Sequence, residues 1–170
     1  PLRGCVNDAN KMEEVLKKNQ NGSPNFDCKK VVTLSSPSGT HVQSITKVSL
    51  KKHVEELFAY QTDVALFYFS GHGTENNFGG FLVTQDATAY DEGLPMQVVL
   101  TLANNSRARE VVIILDCCNS GVFGGIPAIN NSLVNLREGI SVLTASSADQ
   151  SSMEVNGEGI FTRLVYEALQ

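Results

Sequence analysis

Two short stretches with almost no polar side chains constrain this chain more than anything else in it. They are Val64-Ala65-Leu66-Phe67-Tyr68-Phe69 and Val111-Val112-Ile113-Ile114-Leu115. A strand with one wet face alternates apolar and polar residues, whereas a continuously apolar run belongs to a strand covered on both faces. Ile140 to Ala145 predicts a third buried strand. Amphipathic segments alternate with these runs. A helix from an Asn7 or Asp8 cap to about Lys18 buries Met12, Val15 and Leu16, and one capped by Ser49 buries Leu50, Val54, Leu57 and Phe58. A third starts at Pro95 and ends near Asn104-Asn105, with Met96, Val99, Leu100 and Ala103 inward. The last, Phe161 to Leu169, turns Phe161, Leu164, Val165 and Leu169 inward. Shorter strands are predicted over Cys28–Leu34 and Gly79–Thr84, the latter in a hairpin, with one long loop over about 119–139. The expected fold class is α/β: a mainly parallel sheet flanked by helices on both faces, an α/β/α sandwich.

Length and charge narrow the partners. The 170 residues, 42% of them hydrophobic, fit one domain with one sizeable core, and no repeat or linker divides them. Thirteen Lys and Arg against 18 Asp and Glu leave a net charge of −5. Such a surface repels phosphate backbones and anionic headgroups, and the Lys pairs at 17–18, 29–30 and 51–52 are too scattered to form a basic patch. Neither nucleic acid nor a membrane is expected as a partner, and no apolar run approaches the ~20 residues that span a bilayer. Cys5, Cys28, Cys117 and Cys118 form no C-x-x-C pair, so no zinc site is expected. Reduced thiols in a cytoplasmic compartment are the simpler reading.

In parallel α/β sheets the working crevice lies at the carboxyl ends of the strands. Two strands end there in small, polar, reactive sequences: Ser70-Gly71-His72-Gly73 and Asp116-Cys117-Cys118-Asn119-Ser120-Gly121. A thiolate is a strong nucleophile, and an imidazole across the crevice can take its proton and later protonate the leaving amine. The Gly73 N–H and the nucleophile's own N–H would be the oxyanion donors. His72 and Cys118 are 118 − 72 = 46 residues apart.

Phe67-Tyr68-Phe69-Ser70-Gly71-His72-Gly73 together with Ile114-Leu115-Asp116-Cys117-Cys118-Asn119-Ser120-Gly121 resembles the caspase superfamily. Gly4-Cys5-Val6-Asn7-Asp8-Ala9, Leu143-Thr144-Ala145-Ser146-Ser147 and Gly159-Ile160-Phe161-Thr162 extend the likeness over nearly the whole chain. The prokaryotic metacaspase-like branch, the orthocaspases, is the most similar. The resemblance implies a cysteine endopeptidase with Cys118 as nucleophile, Cys117 at a variable position, His72 as its partner, and Asn119 in place of the common His. It implies a specificity pocket lined by Cys5, Asp8, Ser70 and Asp116. Caspases that cleave after Asp carry Gln where this chain has Asp116, which repels an aspartate and attracts Arg or Lys. The expected partner is therefore a protein or peptide substrate with a basic residue before the cut, and the branch implies a monomer. Against the family pattern, residues 1–170 are expected to lack the first strand and a C-terminal portion.

Other assignments follow from the same comparison or stand beside it. Of the acidic cluster that binds calcium in many metacaspases only Asp86 is matched, while Leu94-Pro95-Met96 and Gly125 stand where other members would be, so calcium-independent activity, without metal or cofactor, is expected. Asp8 and Asp116 could instead serve only as helix cap and turn residues. Arg137, Arg107 and Arg109 are either ordinary exposed residues or sites of self-cleavage. His53 is expected to be solvated on its helix, His41 to lie in a polar loop, Cys28 to be a small core residue, and Asp149-Gln150-Ser151-Ser152 to be a polar loop. Two other functions compete: a catalytically silent caspase-like scaffold, and a redox sensor using Cys117 and Cys118.

Overall fold

The computed structural model describes residues 4–35, 41–117, 136–145, 154–155 and 157–170. Cys118, most of the predicted 119–139 loop including Gly125, Ser146-Ser147 and the 149–152 loop lie outside the described residues. Along the chain run α1 (Cys5–Lys17), β1 (Leu34–Ser35), β2 (His41–Gln43), α2 (Lys47–Ala59) and β3 (Val64–Ser70). There follow β4 (Gly73–Asn76), β5 (Gly79–Thr88), β6 (Asp91–Pro95), α3 (Met96–Asn104) and β7 (Glu110–Asp116). The last elements are β8 (Ile140–Thr144), β9 (Glu154–Val155), β10 (Glu158–Gly159) and α4 (Ile160–Leu169).

The two apolar runs pair with each other. β3 and β7 are parallel and in unbroken register from Val64–Glu110 to Ser70–Asp116, and β8 adds in parallel on the far side of β7. Alternate residues of both strands enter different cores. Ala65, Phe67, Val111, Ile113 and Leu115 pack with Leu50, Val54 and Phe58 of α2 and with Val99, Leu100 and Ala103 of α3. Leu66, Tyr68, Val112 and Ile114 pack on the opposite face with Met12 and Leu16 of α1 and with Phe161 and Val165 of α4. Helices therefore cover both faces, and the fold is the expected α/β sandwich. A second, antiparallel sheet, β4-β5-β6, grows directly from the end of β3 and sends Leu82 and Leu94 into the α2–α3 core.

Several boundaries differ from expectation for physical reasons. α2 is capped by Thr46: its hydroxyl accepts the Ser49 N–H at 3.1 Å while the Ser49 hydroxyl accepts the Thr46 N–H at 2.9 Å, so Ser49 completes a capping box and is not the cap. α1 starts from Gly4, which places Asp8 inside the first turn, so Asp8 is no cap of its own helix. Cys28–Thr33 forms no strand; only Leu34 and Ser35 pair, with β2. The chain before it runs along the end of α1, where Asn25 and Phe26 donate N–H bonds to the Lys17 and Leu16 carbonyls. Cys28 does pack on the α1 core.

Among the described residues β8 pairs with β7 alone, and Leu143 is 42% exposed, so this strand is not buried on both faces. α4 begins one residue earlier than predicted and turns Phe161, Thr162 and Val165 inward, leaving Leu164 and Leu169 outside. Arg137 is not an ordinary exposed residue. Its guanidinium donates to the Ala108 carbonyl at 2.7 Å and the Arg109 carbonyl at 3.1 Å, so a cut after it requires this clasp to open. Arg107 and Arg109 are exposed, and His53, half-buried, contacts Glu56.

Candidate active site

The carboxyl ends of β3 and β7 form one platform. Ser70 stands opposite Asp116, and the Gly71 N–H donates to the Asp116 carbonyl at 3.1 Å, carrying the pairing one residue further. Gly71 lies against the Phe69 ring, where a Cβ would come within 2.7 Å of a ring carbon. His72 follows with its side chain exposed, and its carbonyl accepts the Val83 N–H of β5 at 2.9 Å. Gly73 opens β4 opposite Leu82. The imidazole is thus presented between two sheets, each holding the backbone beside it. On the β7 side Cys117 is fully buried in the core with Val111, Ile113 and Leu115, where a thiol cannot meet a substrate. Cys118 lies outside the described residues.

Below this rim the structure brings together three of the four residues expected to line the specificity pocket. Asp8 and Asp116 are 2% and 5% exposed. The Ser70 hydroxyl donates to Asp8 Oδ2 at 2.9 Å, and the Gly159 N–H donates to Asp8 Oδ1 at 3.1 Å. Asp116 Oδ2 receives the Thr162 N–H at 3.1 Å and the Thr162 hydroxyl at 2.6 Å. Both acids flank one glycine: a Cβ built on Gly159 would lie 2.2 Å from Asp116 Oδ2 and 3.1 Å from Asp8 Oδ2. Cys5, half-buried, precedes Asp8 by three residues and so shares its face of α1.

The capping alternative is partly right, but the helix served is distant in sequence. Gly159 caps α4 without a side chain, and the amino-terminal N–H groups of that helix, which carry partial positive charge, are met by Asp116 from β7. Asp8 holds the cap residue itself. Two carboxylates in a little-hydrated place are thereby stabilised by N–H and O–H donors. The donors that Asp116 receives are neutral, a backbone N–H and a hydroxyl.

Sequence reasoning missed Tyr68 and Thr162 as parts of this cluster. The Tyr68 hydroxyl lies 2.6 Å from Thr162 Oγ1. Burial pushes the Tyr68 phenol well above its ordinary range, and the nearby charges of Asp8 and Asp116 push it the same way. One sequence signal could have pointed here: a helix opening on Gly needs its acceptors from elsewhere. Asp86, which the resemblance matches to one member of the family's acidic cluster, accepts the Lys47 N–H at 2.9 Å and the Thr84 hydroxyl at 2.6 Å on Oδ1. No group of three or more His, Cys, Asp or Glu suited to a metal ion occurs among the described residues. Nor is any helix among them long and apolar enough to cross a membrane.

No curated protein matches the chain in a sequence comparison. A family model described as a caspase domain matches residues 1–170, the whole sequence. The chain belongs to the caspase-domain family, a family of cysteine-type peptidases whose substrates are proteins.

Proposed function

We propose that the chain is a metacaspase-like cysteine endopeptidase, of the orthocaspase branch, that cleaves proteins after Arg or Lys. Cys118 is the nucleophile and His72 its proton acceptor. The thiolate attacks the scissile carbonyl, forming a C–S bond, and the Gly73 and Cys118 N–H groups hold the resulting oxyanion. The imidazolium of His72 returns its proton to the leaving amine as the C–N bond breaks. Water, losing a proton to His72, then releases the acyl group from sulfur.

One observation carries this reading. β3 and β7 pair with a constant offset of 46 residues, from Val64–Glu110 to Ser70–Asp116, and His72 and Cys118 are separated by the same 46. Neighbouring strands lie about 5 Å apart, so the same register carried two residues further would bring imidazole and thiol across one narrow gap. The preference for a basic residue is supported by Asp8, Ser70 and Asp116 converging beneath that rim. Two acids there attract a cationic side chain and repel an acidic one. Burial of Cys117 counts against both its use as nucleophile and a Cys117–Cys118 redox sensor.

A silent scaffold is the second reading, favoured by the binding of both acids to the start of α4, which a scaffold needs as much as an enzyme does. Fluorogenic peptides ending in Arg, Lys or Asp separate the two. The peptidase cleaves the Arg and Lys peptides, spares the Asp peptide, and loses all turnover in Cys118→Ala. A wild-type protein that cleaves none of them is a scaffold.

A further inference from the structure

The acidic cluster has a second layer, and its hydrogen bonds run in one direction. Thr162 is fully buried in the first turn of α4 and gives both its N–H and its hydroxyl proton to Asp116 Oδ2. An ionised carboxylate only accepts, so the single hydroxyl proton of Thr162 is committed to Asp116. The Tyr68 hydroxyl, 2.6 Å from Thr162 Oγ1, must then donate to it. The chain reads Tyr68 to Thr162 to Asp116, from the middle of the sheet to the pocket acid. Both hydrogen bonds described for the Asp116 carboxylate land on Oδ2, and none described lands on Oδ1. The backbone on which Thr162 rides is also tied down. Asn7 Nδ2 donates to the Gly157 carbonyl at 3.2 Å, and Lys11 pairs with Glu158 at 2.7 Å.

We propose that Thr162, backed by Tyr68, is a positioning residue for substrate selection: it fixes the Asp116 carboxylate so that one oxygen is saturated by the protein and the other faces a basic side chain. This rests on the reading that Asp116 selects Arg or Lys. Without the Thr162 hydroxyl, Asp116 keeps a single donor and can rotate, and the Tyr68 hydroxyl loses its link to Asp116.

The test compares kcat/KM for two peptides that differ only in ending with Arg or with citrulline, its neutral isostere, on the wild type, Thr162→Val, Thr162→Ser and Tyr68→Phe. Thr162→Val lowers the Arg-to-citrulline ratio roughly tenfold, the scale of one hydrogen bond to a charged group. Thr162→Ser, which keeps the hydroxyl, restores the ratio, and Tyr68→Phe lowers it by a smaller factor. Should Thr162→Val fail to fold, Tyr68→Phe, which removes one oxygen only, decides. Unchanged ratios in the variants, or equal losses on both peptides, overturn the positioning role while leaving the Arg preference intact. A wild type indifferent to Arg against citrulline overturns the basic-residue reading itself, and the positioning role with it.

Discussion

Replacing Asp116 by Asn removes one charge from the cluster while keeping an oxygen that can still accept from Thr162. Two hydrogen bonds end on that carboxylate, from the Thr162 N–H at 3.1 Å and its hydroxyl at 2.6 Å. Bonds to a charged acceptor are worth about 1 kcal/mol more than neutral ones, so the two together lose about 2 kcal/mol. Loss of the anion from the start of α4 adds a few tenths to about 1 kcal/mol. For a domain of this size that corresponds to a fall in Tm of about 5–10 °C. Catalysis on a basic substrate should suffer more. Removing one partner of a buried charge pair costs about 2–5 kcal/mol, or roughly 30- to 5000-fold in kcat/KM for an Arg peptide. A citrulline peptide has no charge to lose. Thermal unfolding and paired kinetics on the two peptides therefore separate the two roles of Asp116. If Tm falls as worked out but the Arg-to-citrulline ratio stays at the wild-type value, Asp116 is a cap for α4 and nothing more, and the pocket assignment is wrong.

Gly159→Ala tests the crowding between the two acids. Its backbone is at φ −66°, which any residue adopts, so the obstacle is the 2.2 Å approach of a Cβ to Asp116 Oδ2. We expect a loss of about 1–3 kcal/mol in unfolding free energy together with most of the activity; a wild-type Tm would contradict the geometry. Asp86→Asn tests the carboxylate beside the start of α2. The Thr84 hydroxyl and then the Lys47 N–H hold the Asp86 carboxyl below its usual range. A depressed folded value means the stabilisation is complete above the unfolded value of about 4 and disappears as pH falls through the folded one. The variant should melt lower than wild type at neutral pH and match it in strong acid, whereas a gap constant with pH would rule this out.

What could be read from residues alone was what depends on local pattern. β3 and β7 announce themselves because burial on both faces demands apolar side chains at every position, and the β3–β7 pairing then sets His72 and Asp116 at one edge of the sheet. β6 could not be read: Asp91-Glu92-Gly93-Leu94-Pro95 has no strand pattern and is held by its ladder with β5. Val31-Val32-Thr33 misleads in the opposite sense, since β-branched residues favour a strand only where a partner is present. The site divides in the same way. Asp8, Ser70 and Asp116 were reached through motifs, but the bonds from Gly159 to Asp8 and from Thr162 to Asp116 join residues as far as 151 apart in sequence. No spacing rule encodes such a contact. It exists because α1 and α4 pack side by side on the same face of the sheet.

The central claim, an Arg-directed cysteine nucleophile at position 118, is tested most directly by a peptidyl-arginine chloromethyl ketone followed by mass mapping of the labelled thiol. Cys117 is fully buried, and burial raises the Cys28 thiol above its ordinary range, so neither should compete at neutral pH. The account predicts one label per chain, on Cys118, appearing in step with loss of activity and abolished in His72→Ala. A label on Cys5, Cys28 or Cys117, or full activity surviving with Cys118 blocked, would contradict it.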